Sequence, residues 1–295
     1  MDDLKHLNFL LTELIQRHTA PEAFQWLQEK KSAIEAEGSR TTALNTAFAA
    51  VPRKVGTAVL SLTQKEVETF ASAQPPLFIN NWTLDRLCRV WLLLQVPADD
   101  KGVYIAKIEN LFSAAAMNEQ VALYSALPLL QYPQVWQQRC AEGIRSNIGT
   151  VLEAIMCNNV YPSQHLGQSA WNQMVLKAFF TEKPVHLIVG LDARSNKELA
   201  HILSDYAHER WAAGRTVNPQ LWRCVAPFVD ATLLGDIERV AQSGDEVERR
   251  AAVLVCRQSQ YAPCKDLLQQ EALKPFAEGA SLSWQTIAER SAAAV

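Results

Sequence analysis

Residues 199–215, LAHILSDYAHERWAAGR, place two histidines and two carboxylates in one short run: His201, Asp205, His208 and Glu209. Imidazole and carboxylate groups at such spacing can ligate a divalent ion or exchange protons with a substrate near neutral pH. Wound as a helix at 100° per residue, His201, Asp205 and His208 fall together on a polar side. Leu199, Ile202, Leu203, Tyr206 and Ala207 share the apolar arc. Three- and four-residue spacings would let the polar trio hold one ion, yet H-E-R-W-A lacks the second histidine of H-E-x-x-H. The expectation is a solvated helix face and no metal.

On the same wheel Arg210 projects into the apolar arc, between Tyr206 and Leu203. A guanidinium there cannot shed its charge. It must snorkel out along its stem, meet a carboxylate, bond the carbonyls ending its own helix, or face a ligand. In AWNQMVLKAFF, Trp171, Met174, Val175, Leu176, Ala178, Phe179 and Phe180 cover most of the circumference, Gln173 and Lys177 form a polar edge, and Asn172 sits within the apolar arc. In PQVWQQRCAEGIRSN, Asn147 lies on the side of Trp136, Cys140, Gly143 and Ile144, or else caps the helix end. Buried amides need partners, so Asn147, Asn172 and Arg210 are expected to converge as a polar pocket or a structural hydrogen-bond network. With Lys177, Asp205, Tyr206, His208 and Glu209 they are the candidate ligand- or partner-binding residues; no catalytic role is assigned.

The familiar catalytic signatures are absent from the sequence. It contains no G-x-S-x-G, no G-x-x-x-x-G-K-[ST] and no G-x-G-x-x-G after a strand, and Asp99-Asp100 in PADDKG lacks the further aspartate of a terpenoid-synthase metal motif. No cofactor is expected.

The elements that must position these residues are helical. Apolar residues recur at three- and four-residue spacing almost throughout, and period-two alternation is scarce, which predicts an all-α fold. Pro21 reads as a first-turn proline, Thr63 with Glu66 as a capping box, and Asn218-Pro219 as a helix start; Gly38, Gly214 and Gly244 read as left-handed helix ends. Segmentation gives roughly 14 to 16 helices joined by short connections, hence antiparallel neighbours. LLGDIERVAQSGDEVERRAAVLVCRQ reads as a hairpin whose D-E-V-x-R-x-A-A resembles the second helix of a HEAT-type repeat. KIENLFSAAAMNEQVALYSALPLL suggests another pair. Short helix pairs bury their apolar faces by stacking, so an irregular HEAT-like solenoid is expected, with a compact α-helical bundle as the alternative. The expected organisation is an N-terminal helical portion (1–118), a central segment (119–228) and C-terminal helices (229–295) in one continuous unit. The loop-like ASAQPPLFINNW, 71–82, is a candidate separator, and the tail AERSAAAV a fraying end.

The chain has 295 residues, 48% of them hydrophobic and 20% charged, with a formal net charge of −3. That is the composition of a folded soluble protein without the basic field a nucleic-acid partner needs. Neither a signal peptide nor a stretch of about 18 unbroken apolar residues is apparent, so membrane insertion is not expected and the chain reads as cytoplasmic. Cys88, Cys140, Cys157, Cys224, Cys256 and Cys264 form no C-x-x-C pair and are read mostly as buried free thiols.

The blocks ALYSALPLLQYPQVWQQRCAEGIRSN, NNVYPSQH, AWNQMVLKAFF, GLDARSNKELAHILSDYAHERWAAGR and NPQLWRCVAPF resemble, in the same order, those of the EboA family. The resemblance covers roughly residues 120–228; before residue 118 and in the C-terminal helices the likeness is only in being helical. His201 stands outside the family pattern. The resemblance implies a bacterial gene cluster beside a UbiA-type prenyltransferase, a dehydroquinate-synthase-like cyclase, a sugar-phosphate isomerase-like protein and a TatD-type hydrolase. It implies a role in making or exporting a prenylated, cyclitol-like metabolite, with cluster enzymes or an intermediate as partners, and no catalytic role for named residues.

Overall fold

The computed structural model describes residues 2–277 and 282–293. Among them are eighteen α-helices and five short 3-10 turns, and the only β pairing is an isolated antiparallel bridge, Val59 with Thr83. The all-α expectation holds. The helix number exceeds the sequence segmentation because several are very short: α10 (Tyr161–His165), α13 (Leu221–Val225) and α16 (Ala262–Asp266) have five residues each and α17 (Lys274–Ala277) has four. So few residues cannot display a period of 3.6. No described helix is long and apolar enough to cross a membrane.

The chain forms two compact units, Met1–Leu166 and Gly167–Val295. In the first, α1 (Asp2–His18), α2 (Pro21–Glu35), α3 (Thr42–Val55) and α4 (Gln64–Ala71) precede α5 (Leu84–Leu93). After it come α6 (Lys101–Ala114), α7 (Met117–Ser125), α8 (Gln137–Arg145), α9 (Gly149–Met156) and α10. Helix α5 is the hub: α1, α3 and α7 pack on it, and α9 packs on α7. Its sequence dictates this, since Leu87, Cys88, Val90, Trp91, Leu92 and Leu93 are all buried and leave hardly any face for solvent. Pro21 stands in the first turn of α2, and Thr63 and Glu66 complete the capping box of α4. The segment 71–82 is not a separator. Leu77, Ile79 and Trp82 are buried, and α1 and α3 before it pack on α5 after it.

In the second unit, α11 (Gln168–Phe180) and α13 pack on α12 (Lys197–Ala212). Helix α15 (Glu246–Gln258) gathers α13, α14 (Leu234–Ala241), α16, α17 and α18 (Trp284–Ala293). The α14–α15 hairpin is as the sequence reads, with Asp245 capping α15 through the Val247 amide at 2.7 Å and Ala251 and Ala252 buried on its packed face. Gly214 has positive φ, +66°, directly after the α12 cap Ala213, as a left-handed helix end requires; Gly38, φ +62°, instead lies in the Glu37–Arg40 turn beyond the α2 cap Ala36, and Gly244 has no positive φ, Asp245 after it capping the next helix. Asn218 accepts from the Gln220 amide at 2.9 Å, one turn ahead of α13. The tail expected to fray is helical to Ala293, with Ile287 and Ala288 buried, and residues 294–295 lie outside the described residues.

None of the six cysteines is in a disulfide, and all but the half-buried Cys157 are buried. Burial pushes the Cys140 and Cys224 thiols up to about 12, which keeps them protonated and poor nucleophiles.

Candidate functional site

Helix α12 starts at Asn196, whose side chain accepts from the Leu199 amide at 3.0 Å, and stops at Gly214. Its buried residues are Leu199, Ala200, Leu203, Ser204 and Ala207, while Ile202 and Tyr206 are only half-buried. The buried arc is therefore turned toward Ala200 and Ser204, away from the arc expected from hydrophobicity alone. Packing partners decide which face is covered, and on this side α12 meets α13 and the start of α14.

That turn gives Ser204 and His208 a shared partner. Asp236, 7% exposed in the first turn of α14, accepts the Ser204 hydroxyl at 2.6 Å on Oδ2 and meets His208 Nε2 at 2.5 Å on Oδ1. With Asp236 ionised the ring nitrogen is the donor. A turn further along, Trp211 stacks on Trp222 with centroids 5.7 Å apart and planes at 21°. The Arg239 guanidinium lies 4.2 Å over the Trp211 ring.

Beyond Trp211 opens a groove of about 700 Å³. Arg215 and Thr216 line it from the end of α12, Glu238, Arg239, Gln242 and Ser243 from the end of α14, and Glu248 from α15. Two guanidiniums and two carboxylates thus share one groove, and among the described residues none of the four is in an ion pair. Their donors and acceptors face solvent and are free to meet a solute.

The residues singled out in the sequence are dispersed. Asn172, 2% exposed, belongs to a network that fastens α11 to the start of α12. It accepts from Asn196 Nδ2 at 2.9 Å and donates to Asn196 Oδ1 and Glu198 Oε2, both at 3.3 Å, while Gln168 reaches the same Glu198 oxygen at 2.8 Å. Arg210 is about 20 Å away along α12, at 1.5 Å per residue, where its Nε donates to the Thr216 carbonyl at 2.9 Å. It meets no carboxylate among the described residues; Asp192 is taken by Arg223 at 2.5 Å. Asn147 is exposed in the connection after α8, where Ser146 rather than Asn147 accepts the Ile148 amide at 3.0 Å. The expected meeting of Asn172 with Arg210 is therefore corrected, and Asn147 is an exposed residue rather than a buried amide: a wheel fixes direction around one helix and not position along it. Asp205 and Glu209 are exposed, Tyr206 is half-buried, Lys177 is half-buried on α11, and none of these lines the groove. Among the described residues no group of three or more His, Cys, Asp or Glu could hold a metal ion.

Sequence reasoning missed Ser204, Trp211, Asp236 and Arg239, because a serine or aspartate on an amphipathic helix carries no sign of a partner thirty residues away. It also passed over polar residues inside the first unit. Asp85 and Arg89 are both buried and joined at 2.6 Å, with Arg89 Nε donating to the Phe48 carbonyl at 3.0 Å. The i, i+4 spacing of opposite charges in DRLCR was the available signal. Arg86 lies 4.2 Å over Trp82 and donates from Nε to Ser125 at 2.8 Å; burial pulls its guanidinium down to about 10.

These features define an all-α protein with a small polar groove and no assembled catalytic set among the described residues. The family model described as "Metabolite traffic protein EboA" matches residues 7–226, most of the chain, and the chain belongs to the EboA family. The match extends the resemblance back to α1, so the N-terminal helices are part of the family segment. It stops before α14, so Asp236, Arg239 and Glu248 stand outside it. No curated protein and no solved structure matches the chain.

Proposed function

We propose that this chain is a non-catalytic accessory protein of metabolite traffic, which holds a pathway intermediate or a partner enzyme and transforms neither. The observation that carries the reading is the groove beside Trp211, where four charged side chains of both signs stand unpaired next to a held aromatic stack. Such a surface offers polar and charged binding contacts of both signs beside an aromatic ring, as small-molecule sites do. The finer reading is a cytoplasmic scaffold within an Ebo-type gene cluster of secondary metabolism, serving the manufacture or export of a prenylated, cyclitol-like metabolite. The α14–α15 hairpin supports keeping a HEAT-like character for the C-terminal helices in this proposal, since such helices commonly present binding surfaces. Co-expression with the prenyltransferase-like and cyclase-like proteins of such a cluster, followed by native mass spectrometry, tests it. The expected result is a stable complex or a retained small molecule. Chain that emerges alone and empty in every combination would remove the proposal.

A second reading is an enzyme of unfamiliar type acting on an anionic or polyhydroxylated small molecule, with His208 as a base oriented by Asp236. The 2.5 Å contact favours it. Against it, Asp236 is also bonded to Ser204, so the three residues work as a clamp between α12 and α14. Arg210 and Lys177, which would have to join His208 in a cleft, do not line the groove.

A further inference from the structure

We propose that the groove between the end of α12 and the end of α14 takes a small polyhydroxylated anion, with Arg239 and Arg215 on its anionic group and Glu238 and Glu248 on its hydroxyls. This rests on the metabolite-binding reading above and names the class of ligand.

Arg239 is the anchor. Its guanidinium lies 4.2 Å over Trp211, and Trp211 is backed by Trp222, itself 1% exposed. The stack fixes the plane of the guanidinium and leaves its in-plane N–H groups free, since no carboxylate or carbonyl takes them among the described residues. A held fork of this kind matches two oxygens of a carboxylate or phosphate and loses little rotamer entropy on binding. Arg215 follows Gly214, whose positive φ turns the chain at the end of α12, and its amide is bonded back to the Arg210 carbonyl at 2.9 Å. The groove thereby receives a second guanidinium from a fixed backbone.

The carboxylates define the rest of the ligand. A bare dianion would gain from two arginines and lose to Glu238 and Glu248. A molecule with one anionic group and several hydroxyls uses all four, because an ionised carboxylate only accepts hydrogen bonds. Thr216, Gln242 and Ser243 add donors and acceptors along the walls. The volume of about 700 Å³ falls within the roughly 300–1,000 Å³ of small-molecule sites. The lining offers no apolar trough, since Val240 is buried and the Trp211 ring is in contact with Trp222, Arg239 and His208. A prenyl tail therefore has no place here, and the groove suits only the polar part of a prenylated molecule.

The test is calorimetric titration of the full chain, at fixed ionic strength, with glucose 6-phosphate, glucose and inorganic phosphate as probes. Glucose 6-phosphate should saturate, at least about tenfold tighter than either fragment. Arg239→Gln should weaken it by about tenfold or more with the melting temperature unchanged, and Arg239→Lys should not restore it, because a point charge lacks the fork. Glu248→Gln should weaken glucose 6-phosphate and spare phosphate. No saturable binding, equal binding by Arg239→Gln, or phosphate binding as tightly as the sugar phosphate would each overturn the proposal. If the co-expression experiment yields a complex or a bound metabolite while Arg239→Gln leaves binding unchanged, only the ligand class fails; if both experiments are empty, the accessory reading falls with it.

Discussion

Asp236 Oδ1 meets His208 Nε2 at 2.5 Å, and Asp236 Oδ2 takes the Ser204 hydroxyl at 2.6 Å, so one buried carboxylate ties the family segment to the helices that follow it. Because Asp236 is buried and His208 is 57% exposed at its side chain, the two ends of the contact should behave differently. Asp236→Ala leaves the buried Ser204 hydroxyl without its partner and should cost about 2 kcal/mol. His208→Ala should cost less than about 1 kcal/mol. Urea denaturation of both variants measures this, and equal losses would contradict the clamp.

The network around Asn172 should dominate over the other polar residues highlighted by the helical wheel. Asn172→Ala removes three hydrogen bonds at a site 2% exposed and should cost about 1–3 kcal/mol. Arg210→Ala and Asn147→Ala act at half-exposed and exposed positions and should stay within about 1 kcal/mol. Melting temperatures of the three variants rank them, and a large fall for Asn147→Ala would be inconsistent with its exposure.

The buried Asp85–Arg89 pair, joined at 2.6 Å, separates breaking an ion pair from replacing it. Asp85→Ala leaves the buried guanidinium with only Glu119 at 3.9 Å and the Phe48 carbonyl and should destabilise by about 3 kcal/mol, whereas Asp85→Leu combined with Arg89→Met should recover most of that loss. A double-mutant cycle by chemical denaturation gives the coupling, and strict additivity would show that the two groups act apart.

Acid should destabilise the protein by a route that can be traced. Burial holds the His165 imidazole below its ordinary 6.5, and burial together with Arg223 does the same for His186. A histidine with a lowered folded value binds its proton more readily when unfolded, so its contribution is present above 6.5 and is lost as pH falls through the folded value. Replacing His165 with Gln should flatten the decline of stability below pH 6.5, measured by urea midpoints across that range. An unchanged slope would place the loss elsewhere, with carboxylates such as Glu66, whose own lowered value acts in the same direction further down the pH scale.

Much of this protein is legible in its sequence because helix formation is local. The apolar spacing predicts the all-α fold, and Pro21, the Thr63–Glu66 box and Gly214 mark helix ends where the structure has them, since a cap needs only residues within one turn. The buried amide of Asn172 is equally visible, because a polar residue inside an apolar arc must find partners. The partners themselves are not visible. Whether α12 buries Ile202 and Tyr206 or Ala200 and Ser204 depends on which helices lie against it, and hydrophobicity cannot rank faces that differ by less than one residue's turn. The contact of His208 with Asp236 and the stack of Trp222, Trp211 and Arg239 join residues up to 28 positions apart in the chain. Such contacts exist only once α12, α13 and α14 have packed, and so the tertiary structure, not the residue spacing, decided where the candidate site lies.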